Sequence, residues 1–167
     1  MIDLTEFLTP NHKQKKQLLV LWLVSILAVM GLCFTPQPHL FQGIQTPNVL
    51  AIGRLRLLLV PLNSLWSLGQ LKDLSEVLWI LSQNVMNLFL LYPTVFLTHC
   101  LSKKWHSAVK SFQLGFLMSL GIEVTQLILD ILVDANRVFE IDDLWTNALG
   151  ALFAYYSYHF LVKTLQN

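Results

Sequence analysis

Residues 18–34, LLVLWLVSILAVMGLCF, run without a single charged side chain. A stretch this apolar has no exposed face to offer water. At about 1.5 Å of rise per residue, a helix of such length approaches the roughly 30 Å of hydrocarbon in a bilayer. Lys13, Lys15 and Lys16 stand immediately before it, as in the start of a secretory signal. No small-x-small cleavage site follows, and Leu32 before Cys33 suits lipoprotein processing poorly. The run therefore reads as an uncleaved first membrane span, with residues 1–17 as a cytoplasmic N-terminal segment.

The remainder of the chain extends this pattern. Its 167 residues are 54% hydrophobic and 13% charged, with a mean hydropathy of +0.56, against about a quarter charged in an ordinary soluble domain. At about 20 apolar residues per crossing, the length allows about four spans and no separate soluble domain. Further spans are expected over residues 77–101, bent by Pro93, and over 112–133 and 144–162, making a membrane domain of 18–163. Pro36, Pro38, Gly43 and Pro47 make residues 35–48 a loop. Residues 49–71 are apolar in content but include Arg54 and Arg56, and an arginine at mid-span costs about 2.5–3.5 kcal/mol on insertion scales. That segment is expected to be re-entrant or interfacial. The fold class is thus all-α: a polytopic membrane helix bundle of about four transmembrane helices plus this segment.

Counting lysine and arginine near the span ends favours both termini in the cytoplasm. On that arrangement seven lie inside (Lys13, Lys15, Lys16, Lys103, Lys104, Lys110, Lys163) and four outside (Arg54, Arg56, Lys72, Arg137). A net charge of +1 gives no basic surface for nucleic acid. Cys33 and Cys100 lack metal-ligand spacing and fall at opposite ends of the bundle, so neither a metal site nor a disulfide is expected. Nothing in the sequence calls for a cofactor or fixes the oligomeric state.

Helical spacing aligns the polar groups inside the spans. Asn84, Asn87, Thr94 and Thr98 share one face of the second span, and Ser119, Glu123, Gln126 and Asp130 share one face of the third. Asp143, Asn147, Gly150, Ala154 and Tyr158 line the fourth, whose small residues permit close helix approach. Asp142 occupies the expected N-cap of that helix, and Arg137 is the one cation within reach. An ionised carboxylate inside a bilayer is expensive, which makes Glu123 a functional-site candidate. The expected outward-facing polar pocket comprises Glu123, Gln126, Arg137, Asp142, Asp143 and Asn147, with Asn84 and Asn87 from the second span. The competing explanation is interhelical hydrogen-bond glue, worth about 0.6 kcal/mol per group. No phosphate loop, HExxH, GxSxG or CxxC is present.

These residues resemble the VanZ-like family of small bacterial membrane proteins. The similarity lies in Asn84-Val-Met-Asn87 through Pro93, in Gly121-Ile-Glu123-Val-Thr-Gln126, in Arg137 through Asp142-Asp143-Leu, and in Asn147-Ala-Leu-Gly150-Ala. Leu58, Leu62, Val95 and Glu140 depart from the family's usual residues. The resemblance implies residence in the bacterial inner membrane and an association with the glycopeptide teicoplanin, but no reaction. Three functions follow as expectations: a factor that binds an envelope lipid or lipid-linked molecule and alters glycopeptide susceptibility, an intramembrane enzyme using Glu123 and Asp143 as acid and base, or a structural partner of other membrane proteins.

Overall fold

A computed structural model describes residues 10–37, 47–66 and 74–166. Six helices and three short strands follow in the order α1 (His12–Phe34), β1 (Leu50–Ile52), β2 (Leu55–Leu58), α2 (Asn63–Trp66), α3 (Leu74–Leu90), α4 (Tyr92–Leu101), α5 (Ala108–Val133), β3 (Phe139–Glu140) and α6 (Ile141–Gln166). Three helical stretches, α1, Ile80–Leu101 and α5, are long and apolar enough to cross a membrane. Residues 1–9 of the expected N-terminal segment, 38–46 of the expected loop and 67–71 of the segment expected to be re-entrant or interfacial lie outside the described residues, as does Lys72.

α1 begins six residues before the apolar run because Asn11 and Gln14 form a reciprocal capping box. Asn11 Oδ1 accepts the Gln14 amide at 3.0 Å, and Gln14 Oε1 accepts the Asn11 amide at 2.8 Å. The second apolar run is one long helix broken at Leu91, with Pro93 in the first turn of α4. Proline lacks the N–H that would bond back one turn, so the bend falls where the sequence placed it. The polar stripe of this run divides at the bend. Thr94 hydrogen-bonds Ser25 on α1 at 3.0 Å, and Thr98 accepts Trp22 Nε1 at 2.9 Å, whereas Asn84 and Asn87 turn towards α2 and α6.

α6 sits against α3, α4 and α5 along one side. Asn147, Ala148, Gly150, Ala151, Ala154 and Tyr158 are buried on it. The opposite side, with Trp145, Leu149, Phe153, Tyr156 and Phe160, is exposed. At Gly150 a Cβ would collide with the Leu88 carbonyl oxygen of α3 and lie 2.9 Å from its carbon, and at Gly115 of α5 one would lie 2.5 Å from Ala151 Cβ. Glycine is what lets these backbones meet. Leu91 and Val95 are fully buried in the same cluster, with Val29, Cys33 and Ile122.

The all-α expectation needs one correction: a small sheet exists. Residues 50–58 form an antiparallel hairpin with Leu50 opposite Leu57 and Ile52 opposite Leu55. Gly53, at φ +61°, fills the first position of its two-residue turn. β2 then pairs in parallel with β3, Leu57 beside Phe139 and Leu58 beside Glu140. The hairpin's backbone groups are thus met by sheet pairing and not by a membrane-crossing helix.

Candidate functional site

The bundle end where α1 and α5 finish and α3 and α6 begin gathers most of the polar side chains singled out in the sequence. The 134–140 connection reverses direction through two left-handed residues, Asp134 at φ +53° and Asn136 at φ +57°. A connection packed against protein must find partners for its backbone N–H groups, and the acidic stripe of α5 supplies them. Asp130 Oδ1 accepts the Arg137 amide at 2.9 Å, and Glu123 Oε2 accepts the Glu140 amide at 3.0 Å. Both acids are 1% exposed. Ser119, Gln126, Glu123 and Asp130 are all buried, as a single inward stripe requires.

Arg137 does not pair with Asp134, Glu140, Asp142 or Asp143. Its Nη2 donates to the carbonyls of Leu32 at 2.7 Å and Thr35 at 2.6 Å, and Gln126 Nε2 donates to Cys33 O at 3.0 Å. Those carbonyls close α1, where backbone acceptors lack partners and the helix dipole is negative. Both groups therefore join α5 and its loop to the end of α1.

Asp142 corrects another expectation. α6 begins at Ile141, so Asp142 lies inside the first turn and is not the N-cap. Its carboxylate reaches away from its own helix and accepts the amides of Leu62 at 2.7 Å and Asn63 at 2.9 Å. Leu62 holds φ +54°, a conformation unfavourable for a leucine; the paired hydrogen bonds hold it there. Asn84 supports the same segment from α3 by donating to Ser64 Oγ at 2.7 Å.

The remaining candidates come together. Asn87 Nδ2 donates to Asp143 Oδ1 at 2.6 Å, and the carboxyl groups of Asp143 and Glu123 lie within hydrogen-bonding reach of one another. Ser119 Oγ donates to the Asp143 carbonyl at 3.0 Å and accepts Asn147 Nδ2 at 3.0 Å. Asn147 is 1% exposed, and nothing donates to its buried Oδ1. Glu140, outside the helices, completes the group: burial pushes its carboxyl up to about 8, with the charges of Asp143 and Asp142 adding to the shift. In the sequence Glu140 stands out only as a departure from the family's usual residue; its position beside this cluster follows from the β2–β3 pairing, which no local pattern announces.

Cys33 and Cys100 are both free and buried. Among the described residues no three His, Cys, Asp or Glu side chains are placed to hold a metal ion. Two surface cavities, of about 510 Å³ along α4 and α6 and about 330 Å³ between α1 and α5, have mainly apolar linings that contain none of the candidate residues.

Long apolar helices and a buried acid–amide cluster at one end define a multi-helix membrane protein. The VanZ/LLP1 family model matches residues 22–162, and the chain belongs to that family. No curated protein and no solved structure matches.

Proposed function

We propose that this VanZ-family protein is a four-span protein of the bacterial inner membrane, with both termini cytoplasmic, that binds the headgroup of an envelope lipid or lipid-linked molecule at the Glu123–Asp143 cluster. The observation that carries the reading is the unpartnered Asn147 Oδ1 beside two contacting carboxyls, neither of which forms an ion pair among the described residues. Side chains serving only as glue would be expected to satisfy one another. At 26 residues α6 is about 39 Å long at 1.5 Å per residue, sufficient to span. Arg137, Asp142, Gln126 and Asn84 act in this reading as positioning residues, since each holds a neighbouring element in place. Through its ligand the protein alters glycopeptide susceptibility, teicoplanin being the compound to test.

A second reading, an intramembrane acid/base enzyme, is favoured by one feature: Glu123 and Asp143 are close enough to exchange a proton. Chromosomal Glu123→Gln and Asp143→Asn variants, compared with the wild type at equal protein level for teicoplanin susceptibility and membrane lipid composition, test both readings. A change in either readout is expected. Two variants indistinguishable from wild type would overturn both readings and leave a structural role.

A further inference from the structure

The chemistry of the cluster limits what it can receive. Glu123, Asp143 and the oxygen of Asn147 are acceptors, and Glu140 stands beside them. The cation nearest in sequence, Arg137, is turned to the end of α1. An anionic group brought to this place would meet carboxylates without a compensating charge. Asn147 adds an observation independent of the acids. Its amide nitrogen is fixed on Ser119, which is itself anchored on the Asp143 carbonyl, so the carboxamide lies one turn beyond Asp143 in the same α5–α6 interface. Its oxygen is left there without a donor. Asp143 and Glu140 are half-buried, whereas Glu123 and Asn147 are buried. The acids do not converge as metal ligands do.

We infer that the cluster receives a primary ammonium group, the headgroup cation of an amine-bearing lipid, with its N–H donors directed to Glu123, Asp143 and the free oxygen of Asn147. A primary ammonium has three donors and no acceptor, which complements a site built from acceptors. A trimethylammonium carries the same charge with no N–H, and a glycerol headgroup leaves the phosphate's negative charge uncompensated. The inference rests on the lipid-binding reading above and specifies the class of lipid.

The test is native mass spectrometry of the full chain, loaded with synthetic phosphatidylethanolamine, phosphatidylcholine or phosphatidylglycerol of identical acyl chains. Ethanolamine lipid is expected to be retained at least about tenfold more than either other lipid, a preference of about 1.4 kcal/mol. Glu123→Gln and Asp143→Asn should each remove that preference. Equal or stronger retention of phosphatidylglycerol or phosphatidylcholine would overturn the ammonium assignment while leaving lipid binding standing. Retention of none would overturn both. Soluble glycerophosphoethanolamine displacing the lipid at equal concentration would overturn a lipid source for the ammonium. The wild-type comparison needs no variant to fold.

Discussion

Gly150→Ala tests how the bundle holds its site. In an open helix position, replacing glycine by alanine stabilises by about 1 kcal/mol through backbone entropy. Here the new methyl would run into the Leu88 carbonyl, its carbon only 2.9 Å away, and the obstacle is backbone that cannot rotate aside. α3 and α6 would have to part by on the order of 1 Å, and overpacking of this kind costs about 1–3 kcal/mol. The backbone obstacle places Gly150→Ala at the upper end, so the net expectation is a loss of about 2 kcal/mol after the propensity gain. Gly121→Ala is the internal control, because a Cβ there meets nothing within 4 Å. It should be neutral or stabilising by up to about 1 kcal/mol. Reversible unfolding in mixed detergent micelles measures both. Equal stabilities for the two variants would refute the claim that α3 and α6 touch through Gly150.

Glu140 makes stability depend on pH with a definite sign. Its carboxyl is raised from 4.5 to about 8, so between those values the unfolded chain ionises while the folded one keeps its proton, and stability falls as pH rises across that window. Glu140→Gln should flatten the Tm profile between pH 4.5 and pH 8; an unchanged slope would disprove the assignment. Asp142→Asn should destabilise by about 1–3 kcal/mol, because an amide oxygen cannot replace both carboxylate acceptors and one buried N–H loses its partner. Asp143→Asn should be neutral or stabilising in the same unfolding assay, and destabilisation matching that of Asp142→Asn would show that Asp143 has a structural role.

Three long apolar helices are legible in the sequence because membrane solvation leaves a strong signature: apolar runs interrupted by polar loops and proline. The facing of the α5 stripe was equally legible, since offsets of four, three and four residues permit only one side of a helix. The capping box of Asn11 and Gln14 extends α1 beyond the apolar run, through the lysines that precede it. The hairpin was hidden. Its strands are short, and one partner, β3, lies about eighty residues along the chain, beyond any periodic pattern. Partner choice was hidden in the same way. Spacing shows that Arg137 is near the end of the bundle, but only the fold shows that unpaired carbonyls at the end of α1 compete for it more effectively than the nearby acids.

The acids at this end of the bundle divide by what their oxygens accept. Asp142 receives two backbone amides, Asp130 receives one, and Glu123 receives one through Oε2. These bonds close loops where water is scarce, and such a role accounts for a carboxylate despite its desolvation cost. Among the described residues Asp143 receives no backbone amide: its partners are the side-chain amide of Asn87 and the Glu123 carboxyl, and a neutral asparagine would hold the first as well. A carboxylate placed where an amide would meet the same structural need carries a stability penalty without a structural return, and such residues are expected where function opposes stability. The acid least needed by the fold also touches Glu123 and lies one turn from the unsatisfied Asn147. For this reason Asp143, rather than the more deeply buried Asp130, is the centre of the proposed ligand site.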